Sequence, residues 1–199
     1  MPPTENLEPQ IRQFEAVVIG VSSGGLKAMS MVLPALPQTF PIPVIIVQHA
    51  HRHSDGYLAI ALNEKCKMRV KEVDEKDILE PGVIYLAPPN YHLLVEQNHT
   101  LSLSSEAPVQ YSRPSIDVLF ETAAYVYRNH LIGIVLTGGN NDGSQGLKKI
   151  QEQGGLTIVQ DPQTAEAPAM PQAAIREAKV DHILPLQEIG PFLAQLVNG

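Results

Sequence analysis

The chain has 199 residues, of which 14 are basic and 21 acidic, and its net charge is −7. One domain is the expected organisation at this length, and the acidic balance argues against a nucleic-acid partner, because such proteins usually present a basic face to the phosphates. Cys66 is the only cysteine, which excludes an internal disulfide and a thiolate metal cluster and favours a cytoplasmic location.

The amino-terminal segment, residues 1–13, is polar and contains Pro2, Pro3 and Pro9. It lacks the basic start and the apolar stretch of a signal peptide, so we expect a disordered leader or a linker remnant. No later apolar run approaches the ~20 residues of a membrane span, so direct membrane insertion is not expected. Residues 14–199 are expected to form one domain.

Apolar runs and helix-like stretches then alternate along the chain. Four short, β-branched runs that predict buried strands lie at 15–20, 43–48, 131–136 and 156–160. Helix-like stretches lie at 26–36, 55–64, 115–129, 143–153, 171–179 and 187–197. Runs that are apolar on both faces suit a parallel sheet covered on both sides. The predicted fold is therefore three-layer α/β/α, with a mostly parallel, doubly wound sheet.

The middle of the chain departs from this alternation. Three short strand candidates lie at 83–87, 93–96 and 100–104, separated by turn residues. The last two alternate in the manner of an antiparallel hairpin. We expect this hairpin at an edge of the sheet.

The first predicted strand leads into a glycine-rich turn, in which Gly20, Ser22 and Gly24 satisfy the G-x-S-x-G pattern. Small flanking residues permit a sharp strand-to-helix turn that exposes the serine oxygen, as a nucleophile requires. The turn alone is equally consistent with a serine that caps the helix or helps to bind a phosphate. A dinucleotide fingerprint and the lysine of a P-loop are both absent.

Two other strand ends deliver a histidine and an aspartate. His49 follows the second strand, and Asp142 lies in the loop 137–143 after a later strand. Singly, His49 fits a structural histidine and Asp142 fits the N-cap of the next helix. Together with Ser22 they supply a nucleophile, a base and a carboxylate that orients the base, at one edge of the sheet. The chain order Ser, His, Asp differs from the commonest triad orders, so the ordinary α/β-hydrolase fold is not expected.

Several ordered motifs identify a family resemblance. They are IGVSSGG, VQHA and LTGGNNDG at the three strand ends, with PGVIYLAPPNYHLLVE, RPSIDVLF, GGLTIVQDPQTAEAPAMPQAAI and VDHILPL elsewhere. The set resembles the catalytic domain of the CheB-type protein-glutamate methylesterases of bacterial chemotaxis, over residues 14–197. The chemotaxis enzyme carries an amino-terminal receiver domain that regulates it, whereas here only about thirteen residues precede the first predicted strand. We therefore expect a stand-alone catalytic domain, or one cut from a longer chain, with an unknown regulator.

The resemblance also assigns roles. It makes Ser22 the nucleophile, His49 the base and Asp142 the orienting carboxylate. Ser23 and Gly139 would donate backbone N–H groups to the oxyanion, although Gly139 stands where the chemotaxis enzymes have methionine. The implied reaction is hydrolysis of glutamate γ-methyl esters, with deamidation of glutamines in some relatives. The implied partner is a methylated chemoreceptor or receptor-like protein, and no cofactor is expected.

Two alternatives remain open from the residues. His49, His51 and His53 alternate in the manner of some metal-dependent hydrolases, with Asp55 as the next carboxylate. We expect His51 and His53 to be rim residues instead. The other alternative is a non-catalytic signalling module with the same fold.

Two further segments are expected near the site. The resemblance places the loop that carries Arg113 beside the cleft, where the side chain could meet an acidic receptor surface or remain solvated. The segment 166–171 is expected to form a cleft wall, with Met170 as packing.

Overall fold

The computed structural model describes residues 13–49 and 57–198. The strands are β1 Ala16–Val21, β2 Val44–Gln48, β3 Arg69–Glu72, β4 Val83–Leu86, β5 His92–Val95, β6 Leu101–Ser104, β7 Leu131–Val135, β8 Leu156–Gln160 and β9 His182–Leu184. The α-helices are α1 Gly25–Val32, α2 Tyr57–Asn63, α3 Ile116–Tyr127, α4 Ser144–Glu152, α5 Ala169–Glu177 and α6 Leu186–Asn198.

Seven of the strands form one parallel sheet in the order β3-β4-β2-β1-β7-β8-β9. The predicted α/β class is thereby confirmed. The chain winds outward from β1 in one direction through β2 and β4, then returns to pair β7 with the other side of β1. The loops that follow β1 and β7 diverge at this reversal, which is where open α/β sheets form their sites.

Helices cover both faces of the sheet. Successive residues of its central strands point to opposite faces, so each strand contributes to two apolar cores. In β1, Ile19 belongs to the apolar core shared with α1, α2 and α6. Its neighbour Val18 belongs to the core shared with α3, α4 and α5. All six residues of β1 are buried, which explains the continuous apolar run in the sequence.

The predicted hairpin forms a two-stranded antiparallel sheet of its own, in which His92 lies opposite Ser104. It lies beside the segment that follows the edge strand β3, because Lys76 N–H donates to Leu101 O at 2.9 Å and Leu101 N–H donates to Asp77 O at 2.8 Å. The hairpin is therefore attached at that edge of the fold without extending the parallel sheet.

Two strands were not predicted. β3 and β9 lie at opposite edges of the sheet, and each has partly or fully exposed positions. An edge strand needs no continuous apolar run, so the pattern that marks central strands is missing there. The predicted helix at 26–36 ends at Val32 and continues as a 3-10 turn, Leu33–Ala35, with Pro34 in its first turn.

The expected leader at residues 1–13 lies, apart from Gln13, outside the described residues. None of the helices that the structure describes combines the length and the apolar character needed to cross a bilayer.

Candidate active site

The turn after β1 needs both of its flanking glycines. A Cβ on Gly20 would lie 2.3 Å from Ile116 Cγ2, so only glycine fits there without displacing Ile116. Gly24 has φ +80°, which favours glycine, and a Cβ on it would lie 2.9 Å from Glu166 Cβ. Ser22 is thus set between two backbone constraints, directly before the amino terminus of α1.

His49 follows β2 and lies beside this turn. Its N–H donates to Val21 O at 3.0 Å, and its Nε2 lies 2.7 Å from Asp142 Oδ2. The ring nitrogen that faces a carboxylate carries the proton, so Nδ1 is the acceptor nitrogen. Asn140 Nδ2 lies 3.5 Å from this Nδ1.

Ser22 and His49 are adjacent across the sheet. Val21 lies opposite Gln48 in the parallel ladder, so one further step places Ser22 beside His49 on strands about 4.8 Å apart. Within residues 13–49 and 57–198, the Oγ of Ser22 makes no hydrogen bond to the imidazole. Catalytic contacts of this kind are often long before substrate binds, and a rotation about χ1 changes the serine's reach.

Asp142 is fully buried and accepts four hydrogen bonds. Oδ1 accepts from Ser115 Oγ and Asp117 N–H, both at 2.9 Å, and Oδ2 accepts from Ile116 N–H at 2.7 Å as well as from His49. These backbone donors are the otherwise unpaired amides at the start of α3. Asp142 therefore caps α3, whereas the N-cap of its own following helix is a glycine, Gly143.

The surroundings of the Asp142 carboxyl favour its ionised form. Burial alone would raise its pKa, but the hydrogen bond from His49 and the N–H groups of Asp117 and Ile116 outweigh burial and lower the pKa below its ordinary value. An ionised carboxylate at this position can hold the His49 tautomer and stabilise the imidazolium that forms when Nδ1 takes a proton.

The loop after β7 is hydrogen-bonded to the serine turn. Ser22 N–H donates to Thr137 O at 2.9 Å, and Thr137 Oγ1 donates to Ser23 O at 2.9 Å. Gly139 is exposed, and a Cβ on it would lie 3.6 Å from Ser23 Oγ. In the part of the chain that the structure describes, the N–H groups of Ser23 and Gly139 have no acceptor in the protein. Both amides are available to a substrate oxygen.

Gln48 is a site residue that the sequence did not single out for a role. Its Nε2 donates to Ser22 O at 3.0 Å and to His49 O at 2.8 Å, so one amide joins the nucleophile turn to the base. Its Oε1 is buried without a partner among the described residues. The signal available in the sequence was its position directly before His49 at a strand end.

His49 opens onto a pocket of about 140 Å³, whose wall includes Asn90, Tyr111 and Arg113. The Arg113 guanidinium donates to Ser105 O at 2.7 Å and to Glu106 O at 2.8 Å, so it stiffens its own loop. Both outcomes foreseen for Arg113, a partner contact or solvation, leave out this role.

The remaining expectations near the site have different outcomes. Met170 is fully buried, and a Cβ on Gly138 would lie 2.4 Å from the Met170 sulfur. The expectation that Met170 is a packing residue is thereby confirmed. His51, His53 and Asp55 of the metal alternative lie outside the described residues. Within the described residues, no group of three His, Cys, Asp or Glu side chains is arranged to hold a metal ion.

Known proteins resemble this chain in sequence and in fold. The sequence matches the family described as CheB methylesterase over residues 17–193. A Leptospira interrogans protein, provisionally named as a protein-glutamate methylesterase/protein-glutamine glutaminase, is 52% identical over 92% of this chain and 95% of its own length. A Clostridium acetobutylicum protein with the same activities in its name is 36% identical over 94% of this chain, which spans 54% of that protein.

A solved structure gives the same result for the fold. The crystal structure of the Thermotoga maritima CheB methylesterase catalytic domain superposes with a TM-score of 0.89 and 34% sequence identity, over 93% of this chain and all of that one. Neither the metal-dependent alternative nor the non-catalytic one is favoured by these matches.

Proposed function

The chain belongs to the CheB methylesterase family, whose members are hydrolases, and on this premise we propose that Ser22, His49 and Asp142 form its catalytic triad. The observation that carries the proposal is the 2.7 Å contact between His49 Nε2 and Asp142 Oδ2. It orients a basic nitrogen beside the serine turn and pairs it with a carboxylate that stays ionised.

The substrate is the γ-methyl ester of a glutamate side chain in a protein. Ser22 Oγ attacks the ester carbonyl while His49 Nδ1 takes the hydroxyl proton, and Asp142 stabilises the imidazolium. His49 then gives this proton to the methoxide oxygen, so that methanol leaves and an acyl-serine remains. Water, deprotonated by the same nitrogen, cleaves the acyl-serine and returns a glutamate and free Ser22.

The oxyanion formed in both steps is stabilised by the N–H groups of Ser23 and Gly139. Their lack of acceptors within the described part of the chain supports this role, and one such donor contributes about 10²–10³ in rate. Gly139 stands where the family resemblance expects methionine, and a backbone donor does not depend on the side chain.

The same acyl-serine would form from a glutamine side chain, with ammonia as the leaving group. The names of the relatives from Leptospira interrogans and Clostridium acetobutylicum include this glutaminase activity. We propose methylated chemoreceptors or similar signalling proteins as the substrate, as the family resemblance implies.

Labelling of the nucleophile tests the proposal. A fluorophosphonate reacts with a serine only when a neighbouring base activates it. We expect one adduct per chain, located by mass spectrometry on Ser22. Ser22→Ala and His49→Ala should each abolish labelling, whereas Ser23→Ala should retain it. Labelling that persists in the Ser22→Ala protein would contradict the proposed nucleophile.

A further inference from the structure

A groove of about 680 Å³ leads away from Ser22 along α1, and we call it the α1 groove. The residues that matter for its chemistry are Ser22, Leu26, Lys27, Met31, Lys65 and Glu166. Its length is set by α1, whose eight residues rise about 12 Å, or slightly more than two helical turns. The groove is therefore long enough for residues that flank the one bound at Ser22.

The wall of the α1 groove carries apolar side chains that no part of the described fold covers. Leu26 is 42% exposed and Met31 is 44% exposed, although the opposite side of α1 is buried in the core through Ala28 and Met29. A helix usually turns its apolar residues toward the core. The two exposed residues thus leave apolar area available to a bound chain.

The charges of the α1 groove are distributed unevenly. Glu166 is the one carboxylate among its described lining residues, and it lies over Gly24 at the end near Ser22. Lys27 lies in the first turn of α1, and Lys65 lies farther along, where its Nζ donates to Ser30 Oγ at 3.1 Å; both lysines are exposed. Two cations in one groove stand out in a chain whose net charge is −7, because a net negative charge repels anions at long range.

We infer that the α1 groove binds the acidic segment of the substrate protein that flanks the reacting residue. The inference rests on the proposed function and extends it to substrate recognition. A neutral ester or amide fits beside Glu166 at Ser22, where a free glutamate would be repelled. Carboxylates one or two turns away along the substrate reach Lys27 and Lys65, and apolar residues between them pack on Leu26 and Met31.

The test uses the intact protein and two substrates. One is a peptide of about 20 residues, a length chosen to exceed α1, with a single γ-methyl glutamate flanked by glutamates. The other is N-acetyl-glutamate γ-methyl ester α-amide, which has no flanking charge. Methanol release gives kcat and KM for each. The groove variant is Lys27→Glu with Lys65→Glu, and the control is Lys148→Glu with Lys179→Glu, which makes the same change in net charge at exposed sites elsewhere.

We expect the groove variant to raise KM for the acidic peptide at least tenfold, while the control variant changes it less than twofold. The value of kcat/KM for the small ester should be unchanged in both. Replacement of the flanking glutamates of the peptide by glutamines should remove the difference between wild type and groove variant, and 0.5 M NaCl should reduce it.

Equal KM values for the groove and control variants would overturn the inference, because they would show an effect of net charge alone. If the groove variant also loses the small ester, Lys27→Gln with Lys65→Gln decides: unchanged KM for the acidic peptide overturns the inference, and a raised KM with an unaffected small ester supports it. Failure of the wild type on both substrates would instead contradict the proposed function.

Discussion

Asp142 and Asp117 each accept hydrogen bonds from the amino terminus of a helix. Asp142 caps α3, to which Asp117 belongs, and Asp117 caps α4, which follows Asp142. The Asp142 carboxylate accepts the N–H groups of Ile116 and Asp117 at the start of α3. The Asp117 carboxylate accepts the N–H of Gly146 at 2.7 Å, in the first turn of α4, the helix that begins two residues after Asp142. The two helices are thereby joined at their amino termini, and the Asp142 carboxylate that faces His49 accepts three hydrogen bonds from residues 115–117.

The first prediction concerns Asp117 and pH. Burial, and then the nearby Asp142, raise the pKa of Asp117 from 3.8 to about 6, against the opposing effect of the Gly146 N–H. A carboxyl whose pKa is raised by folding stabilises the folded state in its protonated form. This stabilisation is fully present below the unfolded pKa and is lost as the pH rises through the folded pKa. At about 1.4 kcal/mol per pKa unit, the loss is about 3 kcal/mol.

Asp117→Asn removes this titration and keeps an oxygen for Gly146. The free energy of unfolding of the wild type, minus that of the variant, should therefore fall by about 2 kcal/mol between pH 4 and pH 7. Urea denaturation at four pH values measures it. The shifted pKa of Asp142 is present in both proteins and largely cancels. Parallel pH curves for the two proteins would contradict the raised pKa.

The second prediction concerns the tautomer of His49. Asp142→Asn can turn an amide N–H toward Nε2, so the ring proton moves to Nδ1, which can then no longer act as a base. We expect kcat for ester hydrolysis to fall by about 10⁴. Ser115→Ala, which removes one neutral donor to Oδ1, should cost less than about tenfold. Similar losses in both variants would indicate that Asp142 acts only through folding.

The sequence predicted the serine, histidine and aspartate, because each follows a strand end. Only the alternative interpretation of Asp142, as the N-cap of the helix that follows it, is wrong. An aspartate before a helix normally caps that helix. Here Gly143 has φ +92° and turns the chain so that the Asp142 carboxylate reaches α3 instead. That contact joins residues 26 positions apart, and no local pattern encodes it.

Gln48 and Arg113 were missed as structural ties for the same reason. Gln48 bonds to Ser22 O across the sheet, and the Arg113 guanidinium bonds to carbonyls of its own loop. Both depend on where carbonyl groups point after folding. The edge strands β3 and β9 were missed because partial exposure removes the apolar run by which β1 and β2 were recognised.

The third prediction tests the Gly139 amide as an oxyanion donor. Gly139→Pro deletes the N–H, and we expect kcat to fall by about 10²–10³. Gly139→Ala is the matched control, since the nearest atom to an added Cβ is Ser23 Oγ at 3.6 Å and the N–H remains. It should stay within a few-fold of wild type. Thermal unfolding verifies that both variants are folded, and a proline variant of full activity would exclude this donor.

The fourth prediction concerns the Gln48 bridge. Gln48→Glu replaces a donor by an acceptor that faces the carbonyls of Ser22 and His49, so the two loops should separate. Small misplacements of reacting groups cost up to about 10² in rate, and we expect a loss of about 10–10² in kcat. Gln48→Ala removes the bridge without repulsion and should lose less. Wild-type activity in the glutamate variant would show that the bridge is dispensable.

Methanol release from a protein-linked glutamate γ-methyl ester tests the central claim most directly. Wild type and Ser22→Ala are compared on the same substrate, with Ser23→Ala as a neighbouring control. The triad predicts that methanol release by Ser22→Ala falls to the level without enzyme, or to a remaining rate of at most about 10⁻³ of the wild-type rate, while Ser23→Ala remains active. Unchanged release by Ser22→Ala would contradict the serine mechanism.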